Sequence, residues 1–254
     1  MKAPLLRFFV ALCVGLAGSG AAYAADGTVQ WAQRVELSIP VSGVVQTVAG
    51  RPGDRVKKGE VLIELEQTPF TTELDQARAA QVDAGTRLRL ADRDLHQAKE
   101  LYARALNSTD ELEDAKLKKK RADAAVEAAR ARVTRAKYEL DQSIVRAPFD
   151  GWVLRRQVEP GQSIISTQQA SVLMVVAAAD RYIARVQVGG DTVAHLNVGD
   201  SARVKVGGHS YDGKIRSVGL EPSTDTAAAR YPVAVEFNSA GARLYAGQKA
   251  GVSF

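Results

Sequence analysis

Apolar residues recur through the middle of the chain with a period of seven. Every seventh position from Leu74 reads Leu74, Gln81, Leu88, Leu95, Tyr102, and every seventh from Ala77 reads Ala77, Ala84, Ala91, Ala98, Ala105. The pattern stops at Asn107-Ser108 and restarts as Leu112, Lys119, Val126, Val133, Leu140, interleaved with Ala115, Ala122, Ala129, Ala136, Ser143. A sustained 3.5-residue repeat with charges between its members predicts two coiled-coil helices within residues 68–143. Gly85 is their one internal glycine, at a cost of roughly 1 kcal/mol against alanine.

The interruption predicts a turn. Ser108 followed three residues later by Glu111 is a capping box that starts the second helix, and Asn107 is the residue expected to take the left-handed conformation ending the first. Thr68 is expected to cap the first helix, with Pro69 at its first position. Helices joined by so short a connection are antiparallel neighbours. The large seam positions then pair where residue numbers add to 214: Leu74 with Leu140, Gln81 with Val133, Leu88 with Val126, Leu95 with Lys119, Tyr102 with Leu112. Alanine layers between them allow the axes to approach to about 8 Å. About 36 residues at ~1.5 Å each make a rod of roughly 54 Å, a spacer or docking arm too thin to enclose an active site.

The flanks of the rod repeat one another. Pro40, Gly43, Val45, Pro52 and Gly53 recur 108 residues later as Pro148, Gly151, Val153, Pro160 and Gly161, and Val56 falls on the same offset as Ile164. Each copy reads as strand, turn, strand, with Gly43, Gly53, Gly151 and Gly161 at the turns. Residues 38–67 and 144–177 are therefore expected to build one β-sandwich that the helices interrupt. From about residue 178 the chain alternates again, in Tyr182, Ala184, Val186, Val188, in Ala202, Val204, Val206, and in Val233, Val235, Phe237. Gly199-Asp200 and Asp212-Gly213 read as turns, Asp191 as the cap of a short helix ending at Leu196, and the whole as a small β-barrel.

The amino terminus adds a targeting signal. Lys2 and Arg7 precede an apolar stretch over residues 8–17, too short to span a bilayer, and Ala22-Tyr23-Ala24 supplies small residues for cleavage after Ala24. A lipoprotein signal through Cys13 is disfavoured by Leu12 before it. Cleavage takes the formal charge from +5 to +3, by loss of Lys2 and Arg7, and removes the only cysteine. Residues 25–37 are left as an N-terminal strand region. So mild a charge calls for no nucleic acid, and a prokaryotic-style signal with nothing to retain the chain points to the periplasm.

Gly53-Asp54-Arg55-Val56-Lys57-Lys58-Gly59-Glu60-Val61-Leu62-Ile63-Glu64-Leu65-Glu66 resembles the swinging-arm domain that carries lipoate or biotin. Where that family places its modified lysine this chain has Pro69, so no cofactor is expected and the motif is read as scaffold. A lipoyl-like domain split by a helical hairpin resembles the membrane fusion proteins, the periplasmic adaptors of tripartite efflux pumps. Ser143 to Gly151 resembles that family's re-entry segment, and Gly213, Ile215, Pro222, Asp225, Arg230, Val233, Asn238, Leu244 and Gly247 fall in the order of its barrel. The resemblance implies no enzyme activity. It implies partners in an inner-membrane efflux transporter of RND type, an outer-membrane channel, and further copies of the chain, as a hexamer. An adaptor of an ABC or type I exporter, usually membrane-anchored, is the alternative, and a lipoyl-type carrier is disfavoured by Pro69. The family's membrane-proximal domain is expected to be absent or vestigial. At the hairpin tip the family uses Arg-x3-Leu-x6-Ser, and Ser108 and Leu101 match it while Gln97 stands in the arginine's place. Arg104, one turn beyond Leu101, is a candidate substitute.

Other candidates have plainer readings. Lys116, Lys118, Lys119, Lys120 and Arg121 form a solvated face, with Lys119 snorkelling out of the seam. His96, His195 and His209 share no ligand spacing, and no metal is expected. His209, Ser210 and Asp212, side by side in one turn, cannot form a hydrolase triad.

Overall fold

A computed structural model describes residues 24–166, 171–223 and 229–254. The targeting segment and Asp225 lie outside the described residues. The chain divides into two compact units, residues 31–181 with 240–242, and the remainder.

The first unit is the sandwich with its inserted rod. One sheet has the order β2 (Arg34–Leu37), β9 (Met174–Ala178), β7 (Gly151–Arg156), β4 (Arg55–Val56). The other runs β6 (Ile144–Arg146), β5 (Val61–Leu65), β3 (Gly43–Val48), β8 (Ser163–Ile164). The repeat is realised as an exchange. Each half sends its short strand to the other half's sheet, so that Val56 pairs with Gly151 and, on the equivalent offset, Ile164 pairs with Gly43. Backbone bonds repeat too: the Gly53 amide donates to the Val153 carbonyl and the Gly161 amide to that of Val45, each at 2.8 Å. Gly53 and Gly161 sit at φ of 95° and 84°, where an L side chain is strained. Gly43 and Gly151, expected at turns, instead open the strands β3 and β7, where they pair with Ile164 and Val56, and at Gly151 a Cβ would run into the Ala177 carbonyl. Between the sheets lie Val45, Val56, Leu62, Leu65, Val153, Ile164, Met174 and Val176, all buried.

The rod leaves at the end of β5 and returns into β6, and these strands are antiparallel neighbours, with Ile63 opposite Val145. It comprises α1 (Thr68–Ala103) and α2 (Thr109–Gln142). Leu74, Ala77 and Ala136 pack with Val133 and Leu140 near the base, and Leu95, Ala98 and Ala115 with Leu112 further out. Those clusters carry the antiparallel register read from the heptads.

The second unit is a closed barrel of order β1 (Ala24–Trp31), β10 (Arg181–Gly189), β13 (Arg230–Asn238), β12 (His209–Val218), β11 (Ser201–Val206), β14 (Lys249–Ser253). The alternating residues of Tyr182 to Val188, Ala202 to Val206 and Val233 to Phe237 are buried inside it. Tyr182 stacks on Phe237 with ring centroids 6.0 Å apart, and its hydroxyl donates to the Leu244 carbonyl at 3.3 Å.

Local expectations in this unit change. Asp212-Gly213 is no turn but the middle of β12, where Gly213 is needed because a Cβ would lie 2.9 Å from the Glu236 carbonyl oxygen of β13. The reversal between β11 and β12 falls on Gly207-Gly208, both at positive φ. His209, Ser210 and Asp212 therefore lie along a strand. Asp191 sits inside the short helix α3 (Gly190–Val193), whose N-cap is Gly189 with no side-chain bond.

Candidate functional site

The base of the rod is tied by two polar side chains. Gln67, not Thr68, is the N-cap of α1, and Thr68 is its first helical residue ahead of Pro69. The Gln67 backbone is already α-helical, so its side chain is released to reach across the hairpin. Gln67 Nε2 donates to the Leu65 carbonyl at 2.8 Å and to Ser143 Oγ at 2.9 Å, while Ser143 Oγ donates to the Leu140 carbonyl at 2.6 Å. Ser143 is wholly buried. Phe70, one turn into α1, packs on the sandwich core. Sequence reading passed over this clamp. Its one trace is that Ser143 is the only polar member of the second alanine series.

At mid-rod the seam tolerates a charge. Lys119 is one-third exposed, hydrogen-bonded to Asp123 at 3.0 Å and 3.9 Å from Asp92 across the seam. The Asp123 hydrogen bond, helped by both carboxylates, raises the Lys119 pKa above the ordinary lysine value.

The far end is a tight turn. Ala105 takes the left-handed conformation at φ 57°, and Asn107 does not. The amides of Ala105 and Leu106 donate to the carbonyls of Tyr102 and Leu101, both at 2.9 Å, the paired bonds of a Schellman motif. Alanine stands where that motif favours glycine, at a cost of ~1–2 kcal/mol. The motif places the left-handed residue one past the C-cap Arg104, which rules out Asn107 on geometry alone. Ser108 then opens α2 with a full capping box: Ser108 Oγ accepts from the Glu111 amide at 3.2 Å, and Glu111 Oε2 accepts from the Ser108 amide at 2.8 Å.

The sequence-derived tip residues take different situations. Gln97, Arg104 and Ser108 are exposed, and Leu101 is half-buried. Tyr102 and Leu106 are the large apolar side chains turned outward here, Leu106 at 69% exposure. Arg104 is the only charge within residues 101–109, at the end of an otherwise charge-rich rod. Among the described residues no helix is long and apolar enough to cross a membrane, and no cluster of three potential metal ligands occurs.

Residues 33–177, spanning both sandwich halves and the rod, match the CzcB-like barrel-sandwich hybrid domain family. The chain belongs to the membrane fusion proteins. It is 30% identical over 149 residues to multidrug resistance protein MdtA of Pectobacterium carotovorum subsp. carotovorum (strain PC1), covering 59% of this chain and 36% of that protein. It is 26% identical over 211 residues to macrolide export protein MacA of Escherichia coli O157:H7, covering 76% and 57%. The chain thus spans between about a third and three-fifths of the curated relatives it matches. Among solved structures it resembles the membrane fusion protein Spr0693 of Streptococcus pneumoniae R6, with a TM-score of 0.71 at 16% identity over 91% of this chain and 97% of that one. A MacA-MexA chimera carrying the Pseudomonas aeruginosa MexA α-hairpin domain gives 0.65 at 21% identity, over 91% and 78%. Identities this low bear on the fold alone. The membrane fusion proteins are structural adaptors rather than enzymes.

Proposed function

We propose that this membrane fusion protein is a periplasmic adaptor joining an inner-membrane efflux transporter of the RND class to an outer-membrane channel. Cleavage after Ala24 would deliver it to the periplasm, and copies would assemble around an axis, as a hexamer, with their rods side by side. The observation that carries the reading is the rod itself. It is about 54 Å long, tied at its base to a β-sandwich, and ends in a turn whose sole charge is Arg104. Its slender, alanine-layered seam has no interior for chemistry, so its use is reach and contact. The resemblances to a multidrug resistance protein and a macrolide export protein support export as the setting.

Docking through Gln97, Leu101, Arg104 and Ser108 gives the test. Ser108→Arg puts an unpartnered charge at the contact but also removes an N-cap worth about 1 kcal/mol, so Ser108→Asp keeps the cap while adding charge. Both variants, and Leu101→Asp, are expected to abolish drug resistance at normal periplasmic protein level, while the exposed mid-rod change Arg87→Asp is tolerated. Gln97→Arg is expected to maintain or strengthen channel binding. Full resistance from well-expressed Ser108→Arg and Leu101→Asp would remove tip docking. Co-purification with an ABC transporter in place of a proton-driven one would favour the ABC or type I alternative.

A further inference from the structure

One end of the barrel carries a polar cleft of about 470 Å³, lined by Ala25 and Asp26 of β1, Gln187 of β10, Thr192 of α3 and Arg230 of β13. β1 and β10 are neighbouring strands: the Ala32 amide donates to the Arg181 carbonyl at 3.3 Å, and a Cβ on Gly27 would run into the Arg185 carbonyl. Continued in antiparallel steps, that register sets Asp26 beside Gln187. Val186 and Val188 are buried inside the barrel, so Gln187 between them faces outward, as exposed Asp26 does. Two side-chain acceptors thus stand together. The Gln187 oxygen Oε1 has no solvent access and accepts no hydrogen bond, and Asp26 forms no ion pair among the described residues. A buried acceptor without a donor is rare in a folded protein, and one beside an unpaired carboxylate calls for a cationic N–H group.

Removal of the targeting signal creates such a group in this cleft. Hydrolysis of the Ala24–Ala25 peptide bond takes up one water, leaves a carboxylate on Ala24, which departs with the signal, and an ammonium on Ala25. One neutral N–H becomes three charged ones. The Val29 amide donates to the Gln248 carbonyl at 2.9 Å, so by alternation the Ala25 nitrogen also faces the β14 side, opposite Val252. One of its hydrogens can keep a partner there, and the other two are new to the cleft. Among the described residues, Asp26 and Arg230 are the charged side chains lining it, the first attractive to an ammonium and the second repulsive. Arg185 on β10, Asp191 on α3 and Lys249 on β14 are exposed further along their elements.

We propose that the barrel cleft is a binding site for the protein's own processed amino terminus, in which the Ala25 ammonium donates to Gln187 Oε1 and is balanced by the Asp26 carboxylate. Processing would thereby complete the barrel end as well as release the chain. The inference rests on the reading that cleavage follows Ala24, and goes beyond it in giving the new terminus a place. The full chain, expressed with its own signal and recovered from the periplasm, tests it: intact mass fixes the first residue, and acetylation of the terminal amine is then followed against pH by peptide mass. Labelling reports the uncharged fraction, and the free α-amino group titrates at about 8. In the folded protein the profile is expected to lie about one pH unit higher than in the denatured chain, making acetylation near neutral pH about tenfold slower. Gln187→Met and Asp26→Asn are each expected to narrow that gap, and Arg230→Gln, which removes the like charge, to widen it. A glycine inserted between Ala24 and Ala25 moves the amine by ~3.4 Å and is expected to abolish the gap. A chain that begins at Ala25 yet labels with the same profile folded and denatured overturns the site and leaves cleavage standing, as does slow labelling with an unshifted profile, which is steric cover alone. A gap that survives both Gln187→Met and Asp26→Asn overturns the assigned partners. A first residue other than Ala25 overturns the cleavage reading and the inference with it.

Discussion

Removal of the Ser143 hydroxyl is expected to loosen the rod where it is rooted. In the wild type that hydroxyl accepts from Gln67 Nε2 at 2.9 Å and donates to the Leu140 carbonyl at 2.6 Å, in a position without solvent access. Ser143→Ala breaks both bonds at once. The Leu140 carbonyl keeps the Ser143 amide at 3.3 Å as a partner, so its loss is partial. One Nε2 hydrogen of Gln67 is left facing a methyl group, and an unsatisfied donor in such a place costs ~1–3 kcal/mol. The sum is about 2 kcal/mol of local stability, or about thirtyfold in the opening equilibrium. A two-unit chain need not unfold in one step, so the suitable assay is hydrogen exchange, read at the Thr71 and Ser143 amides that close the first and last turns of the rod. Those amides are expected to exchange some thirtyfold faster, while amides in the barrel keep the wild-type rate. Gln67→Ala alone is expected to cost less, about 1 kcal/mol, because the Ser143 hydroxyl keeps its bond to the Leu140 carbonyl and no buried donor is left without a partner. The double variant is expected to be less costly than the two singles combined, by ~1 kcal/mol, since both delete one shared bond. Wild-type exchange in Ser143→Ala, or strict additivity of the pair, would refute the clamp.

Three further outcomes follow from the rod. Cysteines at Leu88 and Val126 are expected to join within one chain, while Leu88 with Val133, two turns out of register or roughly 10 Å, are not; gel mobility after oxidation reports both. Ala105→Gly is expected to stabilise the tip by ~1 kcal/mol, seen as slower exchange at the Leu106 amide, because glycine adopts φ 57° without the Cβ clash; faster exchange would contradict the turn geometry. The raised Lys119 pKa implies a contribution to rod stability that is complete below the ordinary lysine value and lost as pH rises through the higher folded one. Helicity followed to high alkali is therefore expected to lose, in Lys119→Leu, the part of its decline that this ammonium supplies.

Much of this architecture was legible because it rests on repetition. Seven-residue spacing from Leu74 and from Ala77 specifies a seam wherever it occurs, and the 108-residue offset of Gly43, Gly53, Gly151 and Gly161 marks two like half-sandwiches whatever surrounds them. What repetition does not encode is who pairs with whom. That β4 lies beside β7 and β8 beside β3 follows from a crossing of the two halves, and each half reads the same with or without it. Single-residue chemistry misled where tertiary contact overrode it. Asp212-Gly213 has the composition of a turn, yet Gly213 is there because β13 passes too close for a side chain. Asn107 has the better intrinsic tolerance of the left-handed region, yet bond geometry assigned that conformation to Ala105. Of the tip residues, Leu101 was chosen by spacing and is half-buried, while Leu106, one of the two large apolar side chains the turn exposes, carried no periodic signal because it belongs to no helix.

The rod departs from β5 and re-enters through β6, strands that are already hydrogen-bonded neighbours. To the sandwich, seventy-odd residues therefore have the geometric standing of a short reverse turn, and nothing in its core senses where the other end of the rod lies. Reach thus becomes a separately adjustable dimension of the protein. Deleting one heptad from each helix at matched levels, for example residues 88–94 with 120–126, would shorten the rod by ~10.5 Å and rotate the tip by only ~20°. The clamp at Gln67 and Ser143, the seam on either side of the cut and the turn at Ala105 would all survive. One sandwich and one tip can accordingly be held at different distances by changing only the number of heptads between them.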